Sequence, residues 1–158
     1  MQLVETTIDW KIFVEQFGIK NPDVNYIDRP SSYAVIIDHQ NRILVVLFRS
    51  KYFLPGGGIE GGESSEETIH RELSEEVGLK VKINSKIGTA GEYVDIPQEE
   101  LCVNKIGVFY HCEIVDESER ESEKDHESFW LQIGDFETGA AHESHYWAVK
   151  QALSELTE

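Results

Sequence analysis

Short apolar blocks separated by polar punctuation dominate the chain. In SYAVIIDHQNRILVVLF, two such blocks flank His39–Asn41, which predicts two strands joined by a turn. KVKINSKIGTAGEYVDI and CVNKIGVFYHCEIV predict further strands, and SFWLQI a short one. The spacing of Trp10, Phe13, Val14 and Phe17 predicts a short helix over Asp9 to Phe17. Near the end, Trp147, Ala148, Leu153 and Leu156 predict an apolar stripe on a helix, with His142 and His145 there in solvated or capping roles, or else lining a pocket. Strands before and after two helices place the chain in the α/β class.

The best-marked element lies in LPGGGIEGGESSEETIHRELSEEVGL. Ser64 followed by Glu67 is a capping box, and Gly78 stands where a left-handed residue closes a helix, with Leu79 to make the accompanying apolar contact. On a wheel of about 100° per residue, Ile69, Leu73 and Val77 form the apolar stripe. Glu72, Glu75 and Glu76 fall together on one flank of it, with Glu76 at the core boundary. Arg71 projects to a different side. Like charges at these spacings cost about 0.2–0.5 kcal/mol per pair on an isolated helix. Partial burial adds to that cost, so a positive partner is expected. A solvated acidic face is the plainer reading of such a helix. A divalent cation is the sharper one, because Mg²⁺ takes oxygen ligands and is completed by water and substrate phosphate.

Composition narrows the partners. The chain of 158 residues carries a formal net charge of −16, which argues against a nucleic-acid duplex or an anionic membrane as partner. It leaves room for a small phosphorylated substrate bridged by cations. The start of the chain lacks the pattern of a signal peptide, and no apolar run approaches the ~20 residues of a membrane span. Cys102 and Cys112 have no metal-site spacing, as expected of reduced thiols in a cytoplasmic protein. With no repeat and no linker composition, a single domain is expected.

The glycines lack the following Lys of a P-loop and the context of a dinucleotide fold. Their spacing to the helix is specific in another way. Gly57, five residues, Glu63, seven residues, Arg71-Glu72-Leu73, one residue, Glu75-Glu76, one residue and Gly78-Leu79 match every fixed position of GX5EX7REUXEEXGU, with U aliphatic. This resembles the Nudix box. The resemblance implies an α/β/α sandwich around a mixed sheet, with residues 1–29 an N-terminal extension packed on a Nudix domain of residues 30–158. It implies Mg²⁺- or Mn²⁺-dependent hydrolysis of a pyrophosphate bond in a nucleoside diphosphate joined to another group. Glu72, Glu75 and Glu76 are then expected as metal ligands, with the Gly56 carbonyl beside them and Gly57 and Gly58 at the substrate. Glu63 and Arg71 are expected as a structural ion pair. Either Glu72 or Glu127, at the end of the acidic segment Val115 to Ser128, is expected as general base, Glu127 also as a ligand. Glu119, Glu121, Glu123 and Asp125 compete for that role.

Arg49 stands at a position resembling one that reaches substrate phosphate in the family, with a plain surface arginine as the alternative, and Tyr52, Phe53 and Trp130 can stack on a base or pack in the core. The expected substrate is a nucleoside triphosphate cleaved to monophosphate and pyrophosphate. ADP-ribose, a nucleotide sugar or a dinucleoside polyphosphate is the alternative. A non-catalytic nucleotide sensor is a reading of another class, which the complete box disfavours. Many relatives of this kind are homodimers, but no stretch here identifies an interface.

Overall fold

The computed structural model describes residues 14–117 and 127–156. Eight strands and three helices follow one another as β1 (Val14–Phe17), β2 (Ile27–Val35), β3 (Arg42–Phe48), β4 (Lys51–Phe53), β5 (Gly56–Gly58), α1 (Ser65–Val77), β6 (Lys80–Ile96), β7 (Leu101–Asp116), β8 (Glu127–Gln132), α2 (Ile133–Gly139) and α3 (Glu143–Leu156) among the described residues. One sheet has the order β1-β6-β7-β2-β5 and the other β4-β3-β8. The first is mixed: β1 runs parallel to β6 and β2 parallel to β7, while β6–β7 and β2–β5 are antiparallel.

Two cores explain why the strands read as solid apolar blocks. Ala34, Ile36, Leu44 and Val46 pack on one side with Ile69, Leu73 and Val77 of α1. Their neighbours Tyr33, Val35, Ile43 and Val45 pack on the other side with Phe136 of α2 and Ala148, Val149 and Ala152 of α3. Strand alternation therefore feeds both faces, and a strand covered on both faces has no polar face to alternate with. The result is the expected α/β/α sandwich with a mixed sheet.

Helix α1 forms as its local signals require. Ser64 Oγ accepts from Glu67 N–H at 3.0 Å, and Glu67 Oε1 accepts from Ser64 N–H at 2.9 Å. At the other end Gly78 is left-handed (φ 66°, ψ 33°), and Gly78 and Leu79 donate to Ser74 and Leu73 carbonyls. Ile69, Leu73 and Val77 are fully buried, a stabilisation of about 1.5–3 kcal/mol each.

Two expectations fail. Val14–Phe17 is a strand on the open edge of β6, not the end of a helix, while residues 9–13 of the predicted helix lie outside the described residues. The unpaired backbone groups of a sheet edge offer four residues more hydrogen bonds than one helical turn does. In α3 the buried stripe is His145, Ala148, Val149 and Ala152, whereas Leu156 is 54% exposed and Trp147 and Leu153 are half-buried. His142 and His145 are accordingly buried rather than solvated.

Candidate active site

The β4–β5 connection meets the carboxylate flank of α1. Three consecutive residues, Leu54 to Gly56, are tied to three different elements. Leu54 N–H donates to His145 Nδ1 of α3 at 3.1 Å. Pro55 O accepts from Ala34 N–H of β2 at 2.9 Å. Gly56 N–H donates to Glu76 Oε1 of α1 at 3.1 Å. Gly56 sits at φ 150°, and a Cβ there would overlap the Ser32 carbonyl oxygen, so only glycine fits. At Gly57 a Cβ would lie 2.5 Å from Glu72 Oε1. Glu72 and Glu76, one helical turn apart, thus close on the Gly56–Gly57 backbone.

Arg71 departs from expectation. Its bidentate pair with Glu63 is present, Nε to Oε2 at 2.6 Å and Nη2 to Oε1 at 3.0 Å. The same guanidinium also reaches Gly58 O at 3.0 Å, Glu72 Oε1 at 2.9 Å and Glu75 Oε2 at 3.3 Å. The wheel projects Arg71 away from Glu72, but an arginine stem is long enough to fold back along the helix. Hydrogen bonds from Arg71, and then from the Glu60 N–H, pull the Glu63 carboxyl down to about 2 against the opposing effect of burial. Its carboxylate partners hold the Arg71 guanidinium firmly protonated.

One arginine cannot balance four carboxylates: Glu60, Glu63, Glu72 and Glu75 all lie within 4 Å of it. The donor set left to a cation is hard oxygen, which fits Mg²⁺ or Mn²⁺ rather than a soft metal. Among the described residues, no three acidic, histidine or cysteine side chains are already gathered to hold an ion. Two carboxylates and a glycine backbone leave most positions to water and phosphate, which is how Mg²⁺ is usually bound.

A cleft of about 220 Å³ opens beside this cradle, lined by Tyr33, Val46, Phe48, Phe53, Leu54, Gly56 and Glu76. Its walls are mainly aromatic and apolar, and its one acidic group is Glu76. Arg49 occupies the β3–β4 turn with Ser50, both at positive φ (51° and 64°), as a two-residue hairpin requires. The Arg49 guanidinium lies 5.0 Å from the centre of the Phe48 ring, which places a cation at the rim of the cleft. Phe53 lines the cleft, whereas Tyr52 packs edge-on to Phe129 and Trp130 packs against the core beside α1.

Glu127 is not brought into this group. It is the exposed first residue of β8, opposite Leu47. Paired residues of antiparallel strands share a face, so Glu127 lies with Leu47, while the cleft takes Val46 and Phe48 from the other face. Glu119, Glu121, Glu123 and Asp125 lie outside the described residues.

Behind the cleft is a polar cluster that sequence reasoning missed. Glu92 of β6, 8% exposed, accepts from Ser144 N–H at 2.8 Å and so caps α3 from across the fold. Its other oxygen lies 3.4 Å from His142 Nδ1, and His142 Nε2 lies 3.1 Å from Lys105 Nζ. Burial opposes ionisation of Glu92, but the bonds from His142 and Ser144 outweigh it and hold the carboxyl below its ordinary value. The legible signal was the i, i+3, i+4, i+7 series of His145, Ala148, Val149 and Ala152, which puts His145 on the buried stripe.

The NUDIX domain family model matches residues 28–152. The chain is 41% identical over 58 residues to an ADP-ribose pyrophosphatase of Methanocaldococcus jannaschii, spanning 34% of each chain. It is 43% identical over 79 residues to the NAD-capped RNA hydrolase NudC of Chromobacterium violaceum, 45% of this chain and 29% of that one. It is 34% identical over 59 residues to a putative 8-oxo-dGTP diphosphatase of Bacillus subtilis, 36% of this chain and 40% of that one. The matches therefore span well under half the length of these relatives. Among solved structures, a NUDIX hydrolase from Nitrosomonas europaea superposes with a TM-score of 0.65 at 16% identity, covering 81% of this chain and 90% of that one. The MutT protein from Methanosarcina mazei Go1 gives 0.62 at 19% identity over 86% of this chain and 100% of that one, again a likeness of fold.

Proposed function

This chain belongs to the Nudix family, and from that premise we propose that it hydrolyses a phosphoanhydride bond in a nucleoside diphosphate derivative. The observation that carries the reading is the closure of Glu72 and Glu76 on the Gly56–Gly57 backbone at the mouth of an aromatic cleft. The substrate class we favour is a nucleoside triphosphate, released as monophosphate and pyrophosphate. The base packs among Tyr33, Phe48 and Phe53, and the phosphates lie toward Glu76. Arg49 at the rim supplies a cation to the phosphate chain.

Glu72, Glu75, Glu76 and the Gly56 carbonyl would hold the divalent cation. Bound there, it polarises phosphoryl oxygens, acidifies water and screens carboxylate–phosphate repulsion. Glu72 orients the attacking water and accepts its proton as the water oxygen bonds to phosphorus and the bridging P–O bond breaks. Arg71 restrains Glu72 and Glu75 against mutual repulsion and, through Glu63, pins the glycine loop to the helix. Glu127 is left out of this assignment on the register of β8.

A substrate panel with Mg²⁺ and with Mn²⁺, its products resolved by chromatography, tests the proposal. It contains unmodified and oxidised nucleoside triphosphates, ADP-ribose, nucleotide sugars and dinucleoside polyphosphates. Metal-dependent monophosphate from a triphosphate is the expected result. Preference for ADP-ribose or a dinucleotide would move the substrate class and keep the chemistry. Silence from folded, metal-binding protein would favour a nucleotide sensor.

A further inference from the structure

We infer that His145 is a positioning residue for the cation cradle, acting from the opposite side of the sheet through a single hydrogen bond to Leu54. The inference rests on the cradle proposed above and adds to it the group that holds its backbone wall in place.

His145 is 1% exposed, and its Nδ1 accepts from Leu54 N–H at 3.1 Å. An accepting Nδ1 in a neutral ring puts the ring proton on Nε2. The ring is hemmed in by Tyr33 at 4.3 Å and by Phe109, Phe53 and His142 at 5.6, 6.1 and 5.2 Å between centres. Burial first, and then the neighbouring His142 and Lys105, hold it neutral. Its place is set in turn by the Glu92 cap on Ser144, the preceding residue of α3.

The geometry at Leu54 explains why such a prop is needed. The cradle backbone is one short run, and each of its three residues has its own tether: Leu54 to His145, Pro55 to Ala34 and Gly56 to Glu76. Losing the first tether leaves a buried N–H without an acceptor directly behind the cleft wall. The segment then satisfies it by moving, and Gly56 and Glu76 move with it. Groups that orient metal ligands from behind typically change metal affinity by about 10–100-fold when removed.

The experiment compares Mn²⁺ affinity, read by electron paramagnetic resonance of the free ion, in the full-length wild type, His145→Leu and His145→Asn. The Asn amide oxygen can take the place of Nδ1, whereas Leu fills the space without an acceptor. His145→Leu is expected to bind Mn²⁺ about tenfold or more weakly, with Asn restoring most of the affinity. Phe136→Leu, in the same core but on α2, is the control for lost stability; it should lower the melting temperature and leave Mn²⁺ affinity unchanged. Equal affinity in wild type and His145→Leu would overturn the inference, as would a parallel loss in Phe136→Leu. A wild type with no saturable Mn²⁺ binding would overturn the cradle itself, and this inference with it.

Discussion

Helices α1 and α3 cover opposite faces of the same sheets and meet at the β4–β5 connection, yet they are built by opposite rules. Helix α1 carries both of its caps in its own sequence and presents carboxylates whose cost Arg71 meets only in part. Helix α3 takes its N-terminal acceptor from Glu92, 52 residues away, and presents a neutral histidine in an apolar setting. The first helix gathers charge beside the cleft proposed to take substrate and cation; the second holds a neutral histidine against the backbone of its wall. A binding site of this kind needs both, because exposed charge attracts ligands but is a poor anchor for backbone.

The contrast is tested most severely at Glu76. Glu76→Gln should cut turnover by roughly a thousandfold, within the 10²–10⁴ range of a group acting directly on the reaction, while circular dichroism stays unchanged. Near-wild activity in that folded variant would sink the site.

On the α3 side the expected loss is in stability. Glu92→Ala strips the buried Ser144 N–H and the His142–Lys105 pair of their acceptor, a cost of about 3 kcal/mol. The melting temperature should fall by roughly 6–12 °C. A fall no greater than that of an exposed substitution would show that α3 does not depend on its distant cap.

Acid tests the Glu63–Arg71 pair that braces α1 to the loop before it. Glu63 titrates at about 2 rather than at the ordinary 4.5. A depressed folded-state value means stability that is fully present above pH 4.5 and is lost as the pH falls toward 2. Urea midpoints should therefore decline across that window in the wild type and more gently in Glu63→Gln. Identical slopes would remove the ion pair from the account of stability. Ser64→Ala should cost about 1 kcal/mol by equilibrium unfolding, the usual value of an N-cap. Smallest of all, Glu127→Gln should leave turnover well short of the ~100-fold loss expected for a general base. A loss approaching that of Glu76→Gln would return Glu127 to the reaction.

How far each region could be read in advance follows the same division. The start, end and buried stripe of α1 were all legible, because each depends on partners within a few residues. The pairing of Glu63 with Arg71 was legible through the box. The reach of Arg71 to Glu72 and Glu75 was not, since a wheel projects side-chain origins and ignores the length of a flexible stem. Val14–Phe17 read as helix because a four-residue segment carries too little periodicity to resist an open sheet edge. In α3 the predicted stripe held at Ala148 but leaned on the large side chains of Trp147 and Leu153, whereas the other buried positions went to Val149 and Ala152, small enough for the helix to sit close to the sheet.

By itself the sequence determined the class of the fold, the limits of α1 and the identity of the carboxylates that could serve a cation. Those properties are local: caps, helical period and glycine conformations act over one to four residues, and a fixed spacing of charges on a helix fixes their face. Only the tertiary structure decided that Glu72 and Glu76 close on Gly56 and Gly57, that Glu127 shares a face with Leu47, and that Glu92 and His145 support the cleft from behind. These depend on strand register and on contacts between residues 15 to 91 positions apart, and in the strands a one-residue slip would reverse every face. No window along the chain contains that information, because it arises only when the two cores pack.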